Sequence, residues 1–383
     1  MNIIRSHSLS LNLGHALDHF FVLIFPTVIL SLQNEWNIAY ADLLKYGSLG
    51  VFALGLGSLP AGWLGDRWSR EGMMKLFFFG MGASAIFCAL ATNPVQLALG
   101  VGAIGLFASI YHPVGTALVF ATSDKPGRAL AINGLAGNLG LASAAAVTAF
   151  LTENISWQSA FIIPGLCSIA MGFQYHWASR NQSSKHSKEK SFKPKQLNKH
   201  AMIRLFAGIA VVACFGGLVF QTLTTSLPKI LETSIDSNLT GIGSLATLMF
   251  TLAAFIQLAI GELLDRIPAK RLLMAICSLQ VLTLLLSSIA KETYLLFSLT
   301  ALLLATFAQI PVNDWLIGHY STEEWRSRFY AIKYTLALGM SVIAYWLIAT
   351  VYGETQSFWL LYIILAVLMC CSVVAAMAMP KGK

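Results

Sequence analysis

The sequence predicts an all-α integral membrane protein of about twelve transmembrane helices in two pseudo-symmetric halves of six. Three observations carry that prediction. Of the 383 residues, 56% are hydrophobic and only 11% charged, against about 25% charged in an ordinary soluble domain. Apolar runs long enough to cross a bilayer, roughly 17–25 residues each, recur along the whole chain. The chain also repeats itself at an offset of about 200 residues: Gly62-Trp63-Leu64-Gly65-Asp66-Arg67 returns as Gly261-Glu262-Leu263-Leu264-Asp265-Arg266.

Taken in order, the runs lie near 9–32, 43–65, 72–92, 94–121, 127–152 and 158–178, then near 201–231, 240–264, 270–290, 292–319, 325–352 and 356–378. The fourth, seventh and tenth are long enough to require tilt or a kink. No cleavable signal peptide is evident, because the first run continues far beyond a signal's apolar segment. Lys and Arg set the orientation. With a cytoplasmic N-terminus, the inside holds Arg5, Arg67, Arg70, Lys75, Lys125, Arg128, Arg266, Lys270, Arg271, Arg326, Arg328, Lys381 and Lys383, and the outside only Lys45, Lys229 and Lys291. Both termini are therefore expected in the cytoplasm of a multi-pass cell membrane, the inner membrane of a bacterium. The net charge of +8 reports this topology and an attraction to anionic lipid, not nucleic acid.

Residues 179–200 separate the halves, which are read as 1–178 and 201–383. The segment carries Arg180, Lys185, Lys188, Lys190, Lys193, Lys195 and Lys199 against one acid, Glu189. Such a stretch cannot bury enough apolar surface to fold alone. It reads as a cytoplasmic tether beside anionic lipid; the alternative is a docking point for a regulator. All six cysteines (Cys88, Cys167, Cys214, Cys277, Cys370, Cys371) fall within predicted spans and read as small packing residues. Neither a metal nor a cofactor is expected.

The repeat extends beyond its first motif. His112-Pro113-Val114 matches Ile310-Pro311-Val312 in position, Arg128, Ala131 and Ile132 recur as Arg328, Ala331 and Ile332, and Pro26 has a rough counterpart in Pro228. Two membrane halves related by an internal repeat are the architecture of a secondary transporter. The loop Gly62-Trp63-Leu64-Gly65-Asp66-Arg67-Trp68-Ser69-Arg70 resembles the signature of the major facilitator superfamily, Gly-x-Leu-x-Asp-Arg-x-Gly-Arg-Arg/Lys. Gly62, Leu64, Asp66, Arg67 and Arg70 match it, while Ser69 and Glu71 depart from it. Gly261, Asp265 and Arg266, followed by Lys270 and Arg271, form a degenerate second copy. The resemblance implies a cytoplasmic gate in which Asp66 meets the start of the eleventh span, at Arg326 and Arg328, and Asp265 meets the start of the fifth, at Arg128. A carboxylate is favoured against a helix N-terminus. The alternative is that these residues only mark orientation and reach for water.

An ionisable side chain inside a span costs at least about 2.5–3.5 kcal/mol at the bilayer centre, so it usually has a function. Asp18 and His19 lie about ten residues into the first span, which at 1.5 Å per residue is ~15 Å, close to the midplane. His15 is one turn from His19, and Asp18 can share that face. In the fourth span His112 precedes Pro113, whose missing N–H loosens the helix. The family resemblance places the first, fourth, seventh and tenth spans around a central cavity, across which Asp18, His19 and His112 could face one another. An imidazole titrating near pH 6.5 beside a carboxylate suits proton coupling; the alternative is a structural Asp–His hydrogen bond. In the second half Asp314 and Lys333 are placed to form an ion pair, or Lys333 faces the cavity and attracts an anion. Asn133 occupies the matching place in the first half. Asn138, Gln221, Gln257, Gln309 and Asn313 offer further polar contacts, and Tyr111, Phe20, Phe21 and Phe220 read as packing.

The run Gly105-Leu106-Phe107-Ala108-Ser109-Ile110-Tyr111-His112-Pro113 is similar to the fosmidomycin-resistance branch, as is Gly127-Arg128-Ala129-Leu130-Ala131 followed by Gly137-Asn138-Leu139-Gly140. That branch implies proton-driven export, that is, drug–proton antiport. The leading expectation is thus a proton-coupled exporter of a small polar or anionic compound, acting as a monomer. The alternative is a proton-coupled symporter taking up a metabolite such as an organic acid. A membrane enzyme is disfavoured: His15 and His19 have His-x-x-x-His spacing, yet no other His-rich pair supports a metal.

Overall fold

The computed structural model describes residues 3–122, 126–179, 198–321 and 323–380, with backbone alone at 3–6, 126–128, 323–328 and 331. Among the described residues twelve helices follow one another. They are α1 (Ile3–Glu35), α2 (Tyr40–Arg67), α3 (Arg70–Ala89), α4 (Pro94–Ala121), α5 (Pro126–Asn154), α6 (Ser159–Ser179), α7 (Lys199–Ser234), α8 (Leu239–Leu264), α9 (Ala269–Ile289), α10 (Glu292–Tyr320), α11 (Glu323–Thr355) and α12 (Trp359–Ala378). Eleven of them are long and apolar enough to cross a membrane. The exception is α6, which carries Ser159, Ser168, Gln174, Tyr175 and His176 among its 21 residues. Residues 180–197 of the expected linker, together with Lys125, Lys381, Lys383 and the side chain of Arg5, lie outside what is described.

Local chemistry explains where several helices begin. Ser69, in extended conformation, accepts a hydrogen bond from the Gly72 N–H at 3.0 Å and starts α3. Asn93 accepts from the Gln96 N–H ahead of Pro94 and starts α4, and Asn198 accepts from the Ala201 N–H and starts α7. Each satisfies one donor that a helix N-terminus would leave orphaned. At the other end of the chain Arg204 donates through Nε and Nη2 to the Ala378 carbonyl at 3.0 and 2.6 Å, while Lys270 Nζ donates to the Met377 and Met379 carbonyls. Two cations thus close the C-terminus of α12, the end of the macrodipole they favour.

The helix contacts divide the described chain into two compact units. One holds α1–α6 together with Asp236–Thr251, the beginning of α8; the other holds α7, the rest of α8 and α9–α12. The division departs from the expected boundaries at α8, whose first half packs on α5. There Thr247 Oγ1 donates to the Ala142 carbonyl at 2.6 Å and accepts from the Ala146 N–H at 3.0 Å, and Glu153 accepts from the Thr240 N–H at 2.7 Å. The pairings inside one unit recur in the other, six helices further on. α1 packs on α5 and α6, and α3 on α4 and α6; likewise α7 packs on α11 and α12, and α9 on α10 and α12.

Glycine makes these crossings close, as small residues do between membrane helices. A Cβ on Gly105 would run into the backbone of Gly50, and one on Gly57 into Ser109, so α2 and α4 meet backbone to backbone. A Cβ on Gly140 would overlap the Ala16 carbonyl, which fixes the α1–α5 approach. Gly140→Val is therefore expected to cost about 3 kcal/mol by overpacking. A thermal-unfolding scan of purified protein checks this, since an unchanged midpoint would mean the crossing is looser than the contact indicates.

Candidate functional site

Polar side chains converge where α1, α4 and α5 meet. The convergence begins with a defect in α4. Pro113 has no N–H to offer the Ser109 carbonyl, and the helix relaxes into a wider π-type turn over Tyr111–Gly115 before resuming at Thr116. The Thr116 hydroxyl takes up the His112 carbonyl. Such turns occur often at functional sites, and this one presents Tyr111 and His112 to α1. Gly14 and Gly115 leave space for the Tyr111 ring, which a Cβ on either would contact at about 3 Å.

His112 Nε2 stands 3.4 Å from Asp18 Oδ2, and the Asp18 side chain is 2% exposed. Asp18 Oδ1 has no protein partner. His15 joins the pair from one turn earlier on α1. Its Nδ1 lies 2.8 Å from the Asn133 carbonyl, so Nδ1 carries the proton and donates. Its ring stacks on Tyr111 at 4.7 Å and 15°. His19 completes the group, with ring centroids 4.8 Å from His15 and 5.5 Å from His112. Behind them Asn133 ties the three helices together. Its Nδ2 donates to Tyr111 Oη at 2.8 Å and Asn12 Oδ1 at 3.0 Å, and Tyr111 Oη donates in turn to the Leu11 carbonyl at 2.6 Å. A Cβ on Gly137 would press on the His15 ring at 2.9 Å, so glycine there makes room for the imidazole.

Of the residues singled out from sequence, Asp18, His19, His112 and Asn133 are thus brought together. His15 and Tyr111 belong with them: spacing along one helix gave His15 only its neighbours His19 and Asp18 on the same helix, and Tyr111 read as packing. Tyr111 is packed, being fully buried, yet it also carries the hydrogen bond that fixes Asn133.

The second unit holds the other intramembrane charges. Lys333 Nζ on α11 lies 2.6 Å from Asp314 Oδ1 on α10, with the lysine side chain 7% and the aspartate 30% exposed. Tyr330 donates to the Asp314 carbonyl at 2.9 Å, and Lys333 stands over the Tyr334 ring at 4.4 Å. Gln221 sits half-buried on α7 and is not part of this pair. Pro311, the positional match of Pro113, leaves α10 unbroken. A second polar knot lies one turn earlier on α10. There Gln280 Nε2 donates to Gln309 Oε1 at 2.9 Å, and Gln309 Nε2 donates to the Val212 carbonyl at 3.0 Å.

At the α2–α3 junction Asp66 accepts from Arg70 Nη2 at 2.7 Å with both side chains exposed, and Arg67 lies over Trp63. The glycines of that loop face the π-type turn: a Cβ on Gly62 would contact Pro113 at 3.2 Å, and one on Gly65 would press on Val114 at 2.8 Å. Asp265 and Arg266 form an exposed turn after α8. The partners expected for these carboxylates, Arg128, Arg326 and Arg328, have side chains outside those described.

The profile of the Major Facilitator Superfamily matches residues 11–319. The chain belongs to that superfamily. With its eleven candidate spans it is a multi-pass membrane protein. Among solved structures it is similar to a D-xylose–proton symporter, with a TM-score of 0.80 at 14% identity over 99% of both chains. It is also similar to a bacterial homologue of the human lysosomal transporter Spinster in its inward-facing, occupied conformation. That match has a TM-score of 0.75 at 14% identity, over 99% of this chain and 95% of that one. These likenesses concern the fold.

Among curated relatives, the gallate transporter of Pseudomonas putida is 26% identical over 40% of this chain and 35% of its own length. The gentisate transporter of Corynebacterium glutamicum is 24% identical over 64% of this chain and 56% of its own. The 4-hydroxybenzoate transporter PcaK of Pseudomonas putida is 26% identical over 37% and 32%. The matches therefore span from about a third to just over half of these relatives. They support the superfamily-level resemblance and give none to the fosmidomycin-resistance branch, nor to efflux and antibiotic resistance as its function.

Proposed function

We propose that the protein is a secondary active transporter that takes up a small aromatic carboxylate together with protons. The cargo class rests on relatives named for gallate, gentisate and 4-hydroxybenzoate, each a hydroxylated benzoate. The observation that carries the coupling is Asp18, a carboxylate enclosed in membrane-spanning α1 with one oxygen on His112 and the other without a partner. A charge costs several kcal/mol there, and a group that accepts a proton on one side of the membrane and releases it on the other gives that cost a use. Uptake replaces the export that the α4 motif alone suggested.

The remaining assignments follow from the same reading. Asp18 carries the proton with His112 and His19 as partners, and Asn133 positions the cluster. Gln221, Asp314 and Lys333 belong to the second unit's polar lining. Gly62, Asp66, Arg67, Arg70, Arg128, Asp265, Arg266, Arg326 and Arg328 form the cytoplasmic gate, and the N-terminus, the linker and the C-terminus face the cytoplasm of the inner membrane.

The test is uptake of radiolabelled gentisate into right-side-out proteoliposomes. An outside-acid gradient is expected to drive accumulation above that of protein-free vesicles, and a protonophore to abolish it. Accumulation in inverted vesicles under an inside-acid gradient, with none in the right-side-out preparation, would overturn uptake in favour of antiport.

A further inference from the structure

A second buried polar pair lies at the inner end of α1, apart from the Asp18 group. His7 and Tyr175 of α6 are both 0% exposed, and their rings meet with centroids 5.3 Å apart at 36°. Neither ring nitrogen of His7 has a hydrogen-bond partner, nor has the Tyr175 hydroxyl. Buried polar atoms are nearly always satisfied, and an exception calls for a role. Packing does not supply one. The offset that relates Pro26 to Pro228 matches His7 with Ile209, and the offset that relates the buried Ser168 to the buried Ser372 matches Tyr175 with Met379. Both matches are buried, and Met379 closes on Gly208 beside Ile209. The second unit thus fills the same place with apolar side chains.

Position ties the pair to the proton site. His7 precedes Asp18 by eleven residues, which is about 16 Å along the axis and within about 20° of the same helix face. With Asp18 near the midplane, His7 stands at the inner edge of the hydrocarbon. Glu71, exposed in the first turn of α3, is close enough for its charge to act on both His7 and Tyr175. Glu71 and Tyr175 are the titratable groups that face His7 from α3 and α6. Glu71 also stands where the superfamily signature has a basic residue. Between the two polar groups lie fully buried apolar rings: Phe78 meets Tyr175 at 5.6 Å and Phe77 at 5.0 Å, and Phe77 meets Tyr111 at 5.4 Å.

We infer that His7 is the inner proton station of the transport cycle, taking the proton released by the Asp18 group and passing it by Glu71 to the cytoplasm. A ring nitrogen accepts the proton that leaves the Asp18 carboxyl, once the inner ends part and water enters the gap. The imidazolium gives it to the Glu71 carboxylate, and Glu71 gives it to water. Asp18 is left ionised, and His7 and Glu71 return to their starting forms. An imidazole whose charge changes near physiological pH, with no hydrogen bond holding either nitrogen, suits that task. Phe77 and Phe78 keep the two stations apart until the helices move, which guards against a leak of protons without cargo.

Because this role presupposes proton coupling at Asp18, wild type and variant are compared in the same right-side-out proteoliposomes. His7→Gln keeps a polar side chain that takes no proton. It is expected to lower gradient-driven gentisate uptake by roughly 100-fold, as loss of a positioned proton acceptor does, while exchange at equal pH and the unfolding midpoint stay at wild-type values. A second readout needs no cargo. With isotope-labelled histidine rings in nanodiscs, one imidazole is expected to titrate with bulk pH and to shift its midpoint in Glu71→Gln, an exposed change that leaves folding intact. Wild-type uptake by His7→Gln, or equal losses of uptake and exchange with a lowered midpoint, would overturn the proposal. So would the absence of any imidazole whose titration responds to Glu71→Gln. Absence of driven uptake in the wild type is instead a failure of the coupling reading, seen before any variant is compared.

Discussion

Asp18→Asn is expected to give a folded protein that no longer accumulates cargo against a gradient. The amide nearly matches the carboxylate in shape, and its oxygen can keep the contact with His112. It removes a buried charge that costs about 2.5–3.5 kcal/mol in a bilayer, so stability should hold or rise. Gradient-driven uptake should fall to the level of protein-free vesicles, while exchange of labelled for unlabelled cargo at equal pH should persist, because exchange needs no net proton transfer. If the Asp–His contact only ties α1 to α4, the opposite pattern follows: a lowered unfolding midpoint with uptake retained. Measuring both quantities on one preparation separates the two roles.

The second large effect is expected at Lys333 and Asp314. Removing one partner of a mostly buried ion pair leaves an uncompensated charge, a loss of about 3–5 kcal/mol when burial is complete. Lys333 is 7% and Asp314 30% exposed, so the larger loss, about 3–5 kcal/mol, is expected for Asp314→Asn, which leaves the buried ammonium unpaired, and a smaller one for Lys333→Met, which leaves the more exposed carboxylate. The double variant should recover most of this, since replacing both charges is often neutral. Thermal unfolding of the two single variants and the double variant tests the coupling. Uptake by the double variant then decides what the lysine does. A stable but inactive double variant means that Lys333 attracts the cargo carboxylate, whereas recovered uptake means that the pair is structural.

The fold was largely readable because bilayer thickness imposes span length and the repeat imposes order. Among the described residues twelve apolar runs became twelve helices, and Pro113 marked the one that breaks. Its counterpart Pro311 did not break α10, since a proline loosens a helix only where the surrounding contacts use the slack. At α4 the Thr116 hydroxyl and the glycines Gly62, Gly65 and Gly115 accommodate the wider turn; no sequence spacing announces that support. The Asp18–His112 meeting was foreseeable from charge in two spans at similar depth. The roles of His15 and Tyr111 were not, because the hydrogen bond to the Asn133 carbonyl and the stacked ring join residues about 100 positions apart. Asn133 showed only as the positional match of Lys333, and position in a repeat does not say which atoms a side chain will reach. Direction of transport was not legible in the sequence for a related reason. The His112-Pro113 motif shapes one helix, and the shape of one helix does not determine which way the proton gradient is spent.

The most direct test of the central claim is simultaneous measurement of proton and cargo movement. Right-side-out proteoliposomes with a pH-sensitive dye inside and no membrane potential would receive gentisate under an outside-acid gradient. The proposed mechanism predicts lumenal acidification that starts with cargo entry, scales with it, and disappears in Asp18→Asn. Cargo entry with no change in lumenal pH, or acidification of the same size in the variant, would contradict it.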